Sequence, residues 1–187
     1  MLSHQSLNGQ FSALDSWSQM GLSLLWAERV LPLFSQRFTD VAAEMTALLD
    51  KAWENVILKK DSSHSEGLSD SAQTLAPTSN DDPSAGAAIP AGETVVLALE
   101  CVKRPSLEAV KEVILMAYTT VEMHAYLRKF GLGDIRNVVS GAELRQRKRS
   151  LETEPELQDF DAFLIDVIEQ LHSKRDLLSI RESLRST

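Results

Sequence analysis

The chain has 187 residues, of which 43% are hydrophobic and 25% charged, and carries a formal net charge of −8. That length and apolar content suffice for one domain with a real core. The acidic balance, with a pI near 5.0, argues against general affinity for nucleic acid or an anionic membrane; the single cysteine, Cys101, excludes an intrachain disulfide and fits a reducing compartment.

The start, MLSHQSLNGQ, has no basic segment followed by an apolar run, so no signal peptide is read there. The apolar runs Met20–Ala27 and Val95–Leu99 are far shorter than the ~20 residues a spanning helix needs. The expectation is a cytoplasmic protein with no membrane partner. Helical spacing of Leu14, Trp17, Gly21, Leu24, Leu25 and Leu31 predicts a first helix from about Gln10 to Phe34. Pro32 should kink or end it. Thr39 or Asp40 offers a cap for a second helix through Met45, Leu49, Trp53 and Val56.

From 59 to 88 the composition turns to Ser, Asp, Gly, Pro and Ala. Such a stretch buries too little apolar area to offset its ordering entropy, so it reads as a mobile acidic loop. Within it, Leu68, Ala72 and Leu75 have the spacing of a short helix behind Ser69. Pro90 suits the start of the next helix, about Gly92 to Val102, which Pro105 ends. Ser106 then caps a long helix to Phe130, stopped by Gly131. Its broad apolar arc, with Val110, Ile114, Ala117, Val121 and Ala125, marks it as the central helix. Residues 142–149 form a basic short helix or arm, and a last helix is expected from Pro155 to about Leu184. The fold class is therefore all-α: a single domain over 1–187, a bundle of about five main helices with one or two short ones.

Glu28 lies inside the apolar stripe of the first helix, between Leu24 and Leu31. A buried carboxylate needs a partner or a raised pKa. Pairing with an arginine or a helix end is the commoner solution; lining an internal site is the alternative. Glu169 and His172 have Glu-x-x-His spacing, which di-metal bundles use twice; here it occurs once, and Glu28 or Glu100 would have to complete a metal site. Glu100 reads better as an exposed partner of Arg104, and His124 as a hydrogen-bonded interior histidine. Cys101 has no neighbouring histidine and reads as a small buried hydrophobe. No catalytic serine elbow, phosphate-binding loop or dinucleotide fingerprint is present, so no cofactor is expected.

Arg145, Arg147, Lys148 and Arg149 form the strongest basic block in this acidic chain, with Arg128, Lys129 and Arg136 nearby in sequence. It is the best candidate for a partner surface. The plainer reading is a solvated arm paired with Glu152, Glu154 and Glu156 or with the acidic loop.

Several packing motifs together resemble the YjaG-like family, a bacterial domain of unknown function. They are Trp17, Glu28-Arg29-Val30-Leu31-Pro32, Leu48-Leu49 leading to Trp53-Glu54, Pro77 and Asp81-Asp82, and Ile89-Pro90-Ala91 before Ala98-Leu99-Glu100. The resemblance implies an α-helical cytoplasmic protein and, by association, a link to histidine-kinase signalling. It supplies no catalytic or metal residues. The functional expectation is a non-enzymatic binding or adaptor protein with an unidentified protein partner. The alternatives are a metal-dependent helical-bundle enzyme using Glu28, Glu169 and His172, and a binder of nucleic acid or an acidic partner through Arg145–Arg149. Homodimerisation stays open.

Overall fold

The structure, a computed structural model, describes residues 10–77, 85–131, 141–173 and 176–185. His4, Asp81-Asp82, Arg136, Lys174 and Arg175 lie outside the described residues. Among the described residues there are helices and no strand. The elements are α1 (Ser16–Ser35), α2 (Thr39–Ile57), a 3-10 turn (Ser62–Ser65), α3 (Leu68–Leu75), α4 (Ala88–Lys103), α5 (Leu107–Phe130), α6 (Gly141–Leu151), α7 (Pro155–His172) and α8 (Leu177–Arg185). The all-α class holds, with more and shorter helices than expected.

α1 is the hub, in place of the Ser106–Phe130 helix. Eight consecutive residues, Met20 to Ala27, are buried, so α1 is covered on every side. It packs against α2, α4, α5, α7 and α8. Trp26 stacks on Phe160 of α7 at 4.1 Å and meets Phe163 edge-on at 4.8 Å. α5 buries only part of its arc: Val110, Val113, Ile114, Ala117, Thr120 and Ala125. Leu115 on α5 is 60% exposed. A wide apolar arc did not mean all-round burial, because α5 is covered mainly by α4 and α1.

Local chemistry explains the helix limits. Asp15 caps α1 by accepting a hydrogen bond from Ser18 N at 2.8 Å. Pro32 does not end α1, which runs on to Ser35; proline forfeits one bond, and less than a turn remains beyond it. α2 starts at Thr39 itself, with Phe38 in the cap position and Asp40 in the first turn to complement the dipole. α4 starts at Ala88, earlier than expected, because Pro90 is harmless anywhere in the first turn. Ser106 caps α5 as read, its Oγ accepting from Ala109 N at 3.1 Å.

The stretch expected as a mobile loop is largely ordered where it is described. Leu68 and Ala72 of α3 are buried in the main core. The residue ahead of α3 is Gly67, at φ +78°, and not Ser69. Ser69 Oγ instead donates to Glu100 Oε2 at 2.9 Å. Glu100 thus serves α3, with Lys103 at 3.8 Å as its only ion pair among the described residues, and the expected pairing with Arg104 is replaced. Few apolar residues were enough here because α2 and α4 supply the opposing surface.

The expected last helix is two. α7 closes at His172, and Ser173 N returns to Glu169 O at 3.0 Å. Asp176 starts α8 by accepting from Ser179 N at 3.3 Å. The break lets α8 fold back so that Ile180 is fully buried and Arg181 only 9% exposed. Leu177 of α8 lies over Gly21 of α1 so closely that a Cβ there would come within 2.6 Å of Leu177 Cδ2. Gly21 is the point of approach for α8.

Candidate functional site

The first candidate is built around Glu28. Glu28 Oε1 accepts two hydrogen bonds from Arg181, from Nη2 at 2.6 Å and Nε at 2.9 Å. The same Nη2 donates to Asp50 Oδ1 at 2.5 Å. The Arg181 guanidinium also lies over the Trp53 ring, 4.8 Å from its centroid. One cation from α8 therefore joins carboxylates of α1 and α2. Glu28 is thus a member of an ion-pair network, the structural role that the sequence favoured.

Beside this network is a cleft of about 380 Å³, walled by Leu31, Pro32 and Leu49, with Glu28 and Asp50 at its edge. Its hydroxyls are not poised for chemistry. Ser35 Oγ donates to Leu31 O at 3.1 Å and Thr46 Oγ1 to Ala42 O at 2.8 Å. Each is spent on its own helix backbone, and no histidine lines the cleft.

The metal reading loses its geometry. Glu169 and His172 are exposed on α7, whereas Glu28 is engaged with Arg181. Among the described residues no three His, Cys, Asp or Glu side chains are grouped to hold a metal ion. His124 is half-buried on α5 and not an interior residue. Cys101 is fully buried, and Ser23 Oγ lies 3.2 Å from its Sγ. Burial pushes this thiol above its usual range, against smaller opposing effects of hydrogen bonds from Ser23 and the Ser106 backbone. A thiol so placed is a poor nucleophile.

No family model matches the chain, and no curated protein is detectably similar to it in sequence. The functional reading therefore rests on its own geometry.

The basic block lies on α6, a real helix. Only its end is buried, at Leu151, which packs with Leu157 and Ala125 in a small second core. Two of the expected acidic partners, Glu154 and Glu156, are occupied elsewhere. Arg128 bonds Glu154 at 2.7 Å and Glu156 at 3.0 Å, and Lys129 bonds Glu154 at 2.6 Å. These contacts clamp the end of α5 to the start of α7. They hold the Glu154 carboxyl below the usual glutamate range, the Lys129 hydrogen bond being the largest cause. The block's own pairs are different. Arg147 bonds Glu143 at 2.6 Å and Tyr126 Oη at 3.2 Å, and lies 5.0 Å from the Phe130 ring centroid. Lys148 reaches Glu122 at 3.2 Å.

Arg145 and Arg149 are left over. Both are exposed, and neither has an ion pair among the described residues. They stand four residues apart on one helix face. Leu144 beside them is 41% exposed. The block thus divides in two: Arg147 and Lys148 fasten α6 to α5, while Arg145 and Arg149 project outward. Sequence separation alone could not make that division, since Glu152 lies three residues from Arg149, nearer than the Glu143 that Arg147 bonds four residues away.

Among the described residues no helix is long and apolar enough to cross a membrane.

Proposed function

We propose that the protein is a non-enzymatic binding protein that docks an acidic protein segment on the outer face of α6. The supporting observation is the exposed pair Arg145 and Arg149, neither of which has an ion pair among the described residues, while Glu154 and Glu156 are bound by Arg128 and Lys129. Leu144 provides an apolar contact at the edge of the charged face. An acidic peptide suits this patch better than nucleic acid does, because two arginines neutralise few phosphates and the chain as a whole is at −8. The resemblance to the YjaG-like family makes a signalling protein the class of partner to try first.

The test is a binding titration with a labelled peptide of alternating glutamate and leucine, beside a labelled single-stranded RNA, at low and moderate salt. The peptide should bind, weaken with salt, and lose most of its affinity for the Arg145→Glu/Arg149→Glu variant. RNA binding in place of peptide binding would move the reading to nucleic acid. Failure of both probes would remove α6 as a docking face.

A further inference from the structure

A second cavity lies at the opposite end of α5 from α6, separated from it by that helix's length of roughly 36 Å. It has a volume of about 550 Å³ and forms where the start of α1, the end of α2 and the α4–α5 junction meet. Its floor is buried: Met20, Val56 and Val102 are each at most 5% exposed. Trp17 forms part of the wall. Three lysines, Lys59, Lys60 and Lys103, line it against one acid, Asp61.

The cations differ in how far they are committed. Lys60 is paired with Glu54 at 2.5 Å. Lys103 is only loosely held, 3.8 Å from Glu100, whose Oε2 already accepts from Ser69. Lys59 is exposed and has no hydrogen bond or ion pair from its side chain among the described residues. Asp61 is occupied by the Ser63 backbone N–H at 2.9 Å. The charge that remains available to a guest is therefore positive, in a chain whose overall charge is negative.

Two buried polar side chains add direction. Asn55 is 4% and Ser65 2% exposed, and both line the cavity. Asn55 Nδ2 donates to His64 O at 3.0 Å and to Ser65 Oγ at 3.3 Å. Ser65 Oγ accepts in that contact, so its own hydrogen has no acceptor among the described residues. A hydroxyl that is nine-tenths buried with an unspent donor points to a missing acceptor.

Lys59 is also the only described non-glycine residue with positive φ, at +49°. It occupies the left-handed turn that closes α2, where Lys60 N returns to Asn55 O at 2.9 Å, a place suited to glycine. A lysine is held there at a conformational cost and at the cavity rim.

We propose that this cavity binds a small organic anion, a carboxylate on an aryl or acyl body. Lys59 and Lys103 hold the carboxylate, Ser65 donates a hydrogen bond to it, and Trp17, Met20 and Val102 contact the apolar part. The cavity volume falls within the range of small-molecule sites, and an apolar floor beside charged and polar groups suits a guest with an apolar body and an anionic end.

The experiment is calorimetric titration of the full chain with 2-naphthoate, with uncharged 2-naphthamide and inorganic phosphate as controls. Saturable one-site binding of 2-naphthoate is expected, with the amide and phosphate each about tenfold weaker or worse. Lys103→Gln and Lys59→Gly should each weaken 2-naphthoate several-fold. Lys59→Gly separates binding from folding, since it should melt no lower than the parent. Arg145→Glu/Arg149→Glu should leave the titration unchanged. No saturable binding at millimolar 2-naphthoate, equal binding of the amide, or indifference to both lysine substitutions would overturn the proposal. Phosphate binding as tightly as 2-naphthoate would overturn the assignment of an apolar body.

Discussion

Arg181 reaches Glu28 across 153 residues of sequence and gives it two hydrogen bonds, at 2.6 and 2.9 Å. This contact fixes α8 against α1, and through Asp50 against α2. Replacing Arg181 by Met should cost about 2–4 kcal/mol in urea unfolding, because the Glu28 carboxylate loses this guanidinium in a site where its side chain is 15% exposed. The double change Glu28→Met/Arg181→Met should cost clearly less than the sum of the single changes. Additive losses would show that the pair is not coupled.

Lys59→Gly should stabilise the protein by about 0.5–1 kcal/mol, read as a higher urea midpoint with an unchanged slope. The reason is the φ of +49°, which glycine adopts without steric penalty. Lys59→Ala, which keeps the Cβ, should give no such gain. A gain from alanine as large as that from glycine would refute the backbone explanation.

The clamp of Glu154 by Lys129 and Arg128 should be acid-labile. Its folded pKa lies below the ordinary glutamate value of 4.5. A depressed carboxyl contributes stability that is present above the unfolded pKa and is lost as pH falls through the folded one. The contact between α5 and α7 should therefore weaken as the pH falls below the ordinary glutamate value. In carboxyl NMR titrations, Lys129→Gln should move the Glu154 midpoint upward. No movement would indicate that Lys129 is not the main cause.

Cys101 should resist alkylation in the folded protein at about pH 8 and react fully once unfolded. Complete burial and a raised pKa both disfavour the thiolate. Rapid labelling of the native chain by iodoacetamide would contradict that placement.

Some of the architecture was legible residue by residue. Ser106 and Gly131 bracket α5, since a capping hydroxyl and a glycine stop act through the backbone nearest to them. The division of the last helix was legible in part: Asp176 carries the signature of a cap, but the apolar spacing from Leu171 to Leu178 continues across it and masks the break. The second cavity gave no linear signal, because Trp17, Asn55, Lys59 and Lys103 come from α1, α2, the turn that follows α2, and α4.

The sequence by itself determined the all-α class and the presence of a carboxylate, Glu28, in an apolar stripe. Both follow from periodicity and capping, which depend on residues within a turn or two of one another. The tertiary structure alone decided that α1 is the hub, that Arg181 is the partner of Glu28, and which cations of the basic block stay unpaired. These depend on which helices meet. A guanidinium, an acid or a neighbouring face can be supplied from anywhere in the chain, and only the packing of α8 on α1, and of α5 on α7, says from where.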